Sequence, residues 1–328
     1  MCAHNKATIR LDGTRYTVAC NPFASGAYQC PRQWNSVYHV VRLEARFGFM
    51  RTIIDTHQHF WKFNPADYGW IGLNQGVLRR DFLPSDLEPI LRSSGVTGVV
   101  SVQARQKLEE THWLLELAAH HDFIKGVVGW VPLIAKELPK IREGLAANPR
   151  LKGVRHVLHD EPDGDYMLRD DFNCGITLLR RFNLVYDILI FERHLPQTIE
   201  FVDRHPHQIF VVDHVAKPRI AAGILEPWRK NIRELAARPN VYCKLSGAVT
   251  EADHQSWRDS DLQPYLDVTL ECFRPQRMMF GSDWPVCLLA SQYARWVETV
   301  EKMIGKLSND ERNAIWSGTA VKVYGLET

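Results

Sequence analysis

Between residues 52 and 284, short apolar runs alternate with stretches in which apolar residues recur every three or four positions. The runs cover 52–57, 96–103, 124–132, 151–158, 184–190, 208–216, 241–247 and 278–284. Most are β-branched and nearly continuous, as in Val96-Thr-Gly-Val-Val-Ser-Val102 and Gln208-Ile-Phe-Val-Val212. Strands without polar alternation are expected where both faces of a parallel sheet are covered. The stretches between them predict amphipathic helices. Ser85, ahead of Asp86-Leu87-Glu88, reads as an N-cap. Leu108, Leu115 and Ala119 mark the apolar face of a helix near 107–120. Ile232 and Leu235 do so for a helix near 229–237 that stops at Pro239. Eight strand–helix units in about 270 residues predict one α/β domain, a (β/α)8 barrel over 50–328. An open doubly wound sheet fits less well, since the chain has no GxGxxG loop.

Composition narrows the function more than the fold. With a formal charge of +2 over 328 residues, nothing favours nucleic acid or an acidic membrane surface as a partner. No apolar run reaches the roughly 18 residues of a membrane span. The seven cysteines are scattered and form no CxxC pair, which argues against a zinc knuckle or a disulfide framework. Cys243 and Cys287 lie in strand-like surroundings and read as small buried residues. A reducing, cytoplasmic setting fits this usage. Residues 1–49 differ from the rest: they carry three cysteines and no strong helical periodicity, and read as an N-terminal extension.

In a (β/α)8 barrel the site forms at the C-terminal ends of the strands. That rule gathers His57 and His59, Gln103 and Arg105, Trp130, Arg155 and His156, and Tyr186 and Asp187. It adds Asp213, His214 and Lys217, Lys244 and Ser246, and Asp283 and Trp284. His57 and His59 are spaced i, i+2, so both imidazoles face the same way along a strand and can bind a metal or polarise a carbonyl. Individual members also have structural readings. Arg155 with Asp187 or Asp213 could be an ion pair, and Lys244 could reach solvent. The aromatic-rich loop 60–83 reads either as a wall over a substrate or as a segment packed on helices.

These segments, in order, carry a resemblance. IIDTHQHFW, GVRH, VVDHVAKP, VYCKLSGAVTEAD and FGSDWPVC resemble the amidohydrolase-2 branch of the amidohydrolase superfamily, and within it the L-fuconolactonase and L-rhamnonolactonase type. The resemblance covers about 52–326 and leaves residues 1–49 outside. It implies a hydrolase that opens a small-molecule sugar lactone, with Asp283, His214, His57 and His59 as catalytic residues. It also implies either one divalent metal such as zinc, on His57, His59 and Asp283, or none. The chain departs from binuclear members at Arg155-His156 and at Tyr186-Asp187, which argues against two metals. Arg155 and Lys244 are expected to hold developing negative charge. Trp61, Trp130 and Trp284 would face the sugar ring, and Gln103, His156 and Ser246 its hydroxyls. A metal-dependent decarboxylase of the same branch and a non-catalytic carbohydrate-binding barrel are the alternatives.

The first barrel strand begins two residues after Met50, which makes Met50 the expected start of the native protein. Intact-mass measurement on protein from its native source should then give a chain beginning at Met50; retention of residues 1–49 would reject this reading.

Overall fold

Each of the eight apolar runs contains a strand, and neighbouring strands pair in parallel. A computed structural model describes residues 6–11, 14–19, 51–136, 138, 144–145 and 147–327. The chain divides into two units after Met50. In the first, β1 (Lys6–Leu11) pairs antiparallel with β2 (Thr14–Ala19). The remainder of the expected extension 1–49, and the expected start at Met50, lie outside the described residues.

The second unit is the barrel. Its strands are β3 (Ile54–Gln58), β4 (Gly98–Val102), β5 (Ile124–Gly129), β6 (Leu151–Val157), β7 (Val185–Leu189), β8 (Phe210–Val212), β9 (Val241–Leu245) and β10 (Met278–Phe280), paired in chain order. Among the described residues the α-helices include α1 (Pro84–Ser94), α2 (Leu108–His120), α3 (Asp170–Leu179), α4 (Leu195–Asp203) and α5 (Trp228–Ala236). They continue with α6 (Asp259–Phe273), α7 (Tyr293–Met303), α8 (Asn309–Asn313) and α9 (Thr319–Tyr324). Two apolar layers result. Ile54, Val100, Val102, Val128, Val185, Val211 and Met279 fill the barrel together with Ala320, Val323 and Tyr324 of α9. The outer faces of the strands pack on the helices in one larger core.

Local details depart from the sequence expectations. Helix α1 begins two residues early, at Pro84: Leu83 is its N-cap, and Asp86 accepts from the Leu83 N–H at 2.9 Å. Proline suits that first position because it has no N–H to leave unpaired. In α2 the buried face is Thr111, Leu114, Leu115 and Ala118, so the expected Ala119 lies outside it, exposed. Ile232 and Leu235 are buried as expected, and so are Cys243 and Cys287.

The ring closes between its first and last strands. There the ladder is replaced by a bridge between Gln58 and Trp284, with Asp283 N–H donating to His57 O and His59 N–H to Trp284 O, both at 2.7 Å. Asp55 clamps the same seam. Its Oδ1 accepts from Ser282 N–H at 2.8 Å and His57 N–H at 3.1 Å; its Oδ2 accepts from Ser282 Oγ at 2.5 Å and Tyr293 Oη at 3.0 Å. Burial pushes the Asp55 carboxyl up to about 6 despite these four donors.

Asp55→Ala leaves four buried donors without their acceptor and should lower unfolding free energy by several kcal/mol, at about 1–3 kcal/mol per orphaned group. Asp55→Asn, which keeps an acceptor for the two N–H groups, should cost much less. The pH dependence has a defined sign. The folded-state pKa lies above the unfolded value of 3.8, so the folded chain keeps a proton that the unfolded chain has shed. Relative to Asp55→Asn, the wild type should therefore lose stability, on the order of 3 kcal/mol, as pH rises from about 4 to about 6. Urea unfolding at a series of pH values measures both effects.

Candidate active site

The register between β3 and β4 shifts between Asp55 and Gln58, a bulge of the kind that re-aims side chains. Beyond it, His57 and His59 stand edge to face, with ring centroids 4.9 Å apart, at the C-terminal rim. Asp283 meets them there. Its Oδ1 lies 3.4 Å from His59 Nε2, 3.8 Å from His57 Nε2 and 3.9 Å from His214 Nε2. Residues more than 200 positions apart in sequence thus converge on one oxygen.

Each imidazole is oriented by a second contact. His59 Nδ1 donates to the carbonyl of Val102 at 2.8 Å, which turns Nε2 toward Asp283. His214 Nδ1 pairs with Ser246 Oγ at 2.9 Å. His57 Nδ1 lies 3.2 Å from Asp213 Oδ1, and its Nε2 is 3.2 Å from Arg155 Nη1. Burial holds both His57 and His214 well below the usual histidine range, so both are neutral. Burial alone would raise Asp283, but the pull of His214 and His59 overrides it and keeps the carboxylate ionised, below its ordinary value.

The backbone under His214 is unusual. His214, Val215, Ala216 and Lys217 all have φ between 47° and 60°. A left-handed turn costs non-glycine residues about 1–2 kcal/mol each, and strain of this kind gathers at functional sites. Trp228 Nε1 fixes the turn by donating to Val215 O at 2.9 Å. Gly247 makes room for it: a Cβ there would lie 2.3 Å from His214 Nδ1. Asp283 is left-handed too, at φ 59°.

Below the rim lies a wholly buried charge network. Lys244 pairs with Asp187, and with Asp213 Oδ1 at 3.1 Å. Arg155 Nη1 donates to Asp213 Oδ2 at 3.0 Å and its Nη2 to the carbonyl of Gln103. Tyr324, from α9, donates to Asp187 at 2.8 Å from the opposite end of the barrel. Burial pushes Asp187 up to about 6 against the opposing pull of Lys244. Asp213 is buried too, yet Lys244, His57 and Arg155 together hold it well below the carboxylate range.

The remaining nominated residues are placed as follows. Arg155 and Lys244 belong to the network, Lys244 fully buried, and neither reaches the rim freely. Gln103 is buried, with Nε2 on Arg155 O at 3.5 Å. His156 uses both nitrogens, one accepting from Trp130 Nε1 at 3.2 Å and the other 2.6 Å from Glu161. Trp61 and Trp284 are buried among Phe82 and other rings, whereas Trp130 is partly exposed. In loop 60–83, Phe60, Trp61, Tyr68, Ile71, Leu78 and Phe82 are buried, with Trp61 Nε1 donating to Arg80 O at 2.9 Å, whereas Trp70 and Leu73 are exposed. Sequence reasoning missed Asp55, Gly247 and Tyr324. Gly247 stood inside the quoted VYCKLSGAVTEAD segment, but nothing there signalled a ring pressed against it.

Three imidazole nitrogens and a carboxylate oxygen face one point. Nitrogen and oxygen ligands of a tetrahedral divalent ion sit about 3.3 Å apart, close to the separations found here. His57, His214 and Asp283 offer one ligand atom each, all within 4.8 Å of one another, so the residues fit a single ion, with His214 in the place the sequence reading gave to His59.

Comparison with known proteins agrees with this geometry. The profile of the family described as Amidohydrolase matches residues 54–326. The chain is 46% identical to an L-fucono-1,5-lactonase of Burkholderia multivorans, over 83% of this chain and 96% of that protein. It is 38% identical to an L-fucono-1,5-lactonase of Burkholderia ambifaria, over 84% and 96% respectively. A crystal structure of a Burkholderia multivorans amidohydrolase with bound zinc superimposes with a TM-score of 0.81 at 45% identity, over 84% of this chain and all of that one.

Ser246→Ala removes the group that orients His214 and should lower kcat/KM about 10- to 100-fold with the unfolding midpoint nearly unchanged. Steady-state kinetics beside a thermal melt checks this.

Proposed function

The chain belongs to the amidohydrolase family, and we propose that within it the protein opens the ring ester of a six-membered sugar lactone, an L-fucono-1,5-lactone or a close epimer, to the free sugar acid. It is a hydrolase of the lactonase type. The observation that carries the reading is the ionised Asp283 carboxylate held 3.4–3.9 Å from three imidazoles at the rim.

Lactone hydrolysis needs an activated water, a stabilised oxyanion and a proton for the leaving alkoxide. Asp283 takes a proton from water as the water oxygen attacks the carbonyl carbon. With no ion bound, His214 accepts from Ser246 Oγ at Nδ1 and presents Nε2–H to the oxyanion. As the tetrahedral intermediate collapses, the ring C–O bond breaks and Asp283 returns the proton to the alkoxide. One water is consumed, and ionisation of the acid releases a proton. A zinc-like ion, held by His57, His214 and Asp283, would polarise the carbonyl when bound. The buried network beneath fixes the ring of His57: Asp213 Oδ1 and Lys244 Nζ each lie 3.2 Å from its Nδ1, and Arg155 Nη1 lies 3.2 Å from its Nε2.

The substrate is a small molecule. Among the described residues no helix is long and apolar enough to cross a membrane. Cys174, Cys243, Cys272 and Cys287 are free thiols, which supports a reducing, cytoplasmic location.

Aldonolactones screened with a pH indicator should release acid, fastest for the fucono-1,5-lactone. Asp283→Asn should lower turnover about 10²- to 10⁴-fold while the fold is kept. Near-wild-type turnover in that variant would exclude Asp283 as the base.

A further inference from the structure

Of the side chains first nominated to read sugar hydroxyls, Ser246 is bonded to His214 and His156 has both nitrogens occupied. Gln103 keeps an unpaired Oε1, but the side chain is buried against Arg155. One pair at the rim has more capacity to spare. Lys217 ends the left-handed turn after β8, and Glu251 ends the short helical segment Ala248–Glu251 after β9. Their side chains are each 20% exposed, and Lys217 Nζ lies 3.5 Å from Glu251 Oε1. A charge-assisted bond usually closes to about 2.7–2.9 Å, so this one is loose. Lysine offers three donors and an ionised carboxylate about four acceptor sites, so most of both are unspent.

The pair also stands beside the reacting groups. Lys217 is among the charges acting on Asp283 and on His214, and Glu251 is in turn influenced by Asp283. Lys217 Nζ sits 5.4 Å from the centre of the Phe191 ring, which borders it on the β7 side. The strained turn serves both of its ends. His214 opens it on the catalytic carboxylate and Lys217 closes it on Glu251, with Lys217 N–H donating back to His214 O at 2.8 Å.

We infer that Lys217 and Glu251 together determine specificity for the substrate's hydroxyls, Lys217 donating to one ring hydroxyl and Glu251 accepting from the same or a neighbouring one. The inference rests on the lactonase reading above. A hydroxyl is both donor and acceptor, and the pair presents both roles at one place. A lactone without hydroxyls leaves the pair unsatisfied, and a site built to bond a hydroxyl discriminates strongly against an analogue lacking it.

The test compares kcat/KM for L-fucono-1,5-lactone with that for δ-valerolactone, which has the same ring size and no hydroxyls. The wild type should prefer the sugar lactone by at least about 100-fold. In Glu251→Gln and Lys217→Met that preference should fall by about 30-fold or more, carried mainly by KM for the sugar lactone, and Lys217→Arg should restore part of it. Glu251→Gln is isosteric and carries the test alone if Lys217→Met does not fold. A preference within about threefold of wild type in both variants, or an equal loss on both lactones, overturns the inference. A wild-type protein that hydrolyses neither lactone, with or without added zinc, rejects the lactonase reading instead.

Discussion

The site depends on the closure of the ring between β3 and β10. That seam is short and irregular, made of a bridge, two backbone hydrogen bonds and the Asp55 clamp. The residues that close it are also the reacting ones. His57 accepts from the backbone of Asp283, and His59 donates to that of Trp284. The distance between the carboxylate and the imidazoles is therefore set by main-chain bonds rather than by flexible side chains. A catalytic group needs placement to a fraction of an ångström, and backbone pairing supplies it.

Beneath the seam, the barrel interior balances a cost. Two carboxylates, a lysine and an arginine lie out of water, where an unpaired charge would be prohibitive. Each is paired: Lys244 with Asp187 and Asp213, Arg155 with Asp213. Such a network contributes little net stability, but it fixes geometry. Here it holds the ring plane of His57, and through the carbonyl of Gln103 it ties β6 to the end of β4. Burial keeps His57 and His214 neutral, and the charge of Lys244 adds to that effect on His57.

The barrel was legible in the sequence because its signal is repeated eight times, and an error in one run does not disturb the rest. His57 and His59 were legible because strand geometry forces an i, i+2 pair to one side. Asp283 and His214 stood out as polar residues closing apolar runs. What was hidden depends on contacts between distant segments. Asp55 shares the strand of His57 but, across a bulge, has different neighbours. Lys244 occupies a strand end like the others, yet two aspartates from adjacent strands pull it inward. Trp61 and Trp284 illustrate a limit of composition: an indole that lines a cavity and one that fills a core look the same in a sequence. Ser85 lost the cap position to Leu83 because Pro84 fits the first turn.

Helix α9, which follows every barrel strand in the sequence, places Tyr324 under Asp187. Until that helix docks, the floor of the barrel is open and Asp187 lacks one of its hydrogen-bond donors. The last step in completing the interior is therefore the seating of a helix rather than the pairing of a strand, and loosening that helix would be felt at the electrostatic centre of the barrel, not merely at its edge.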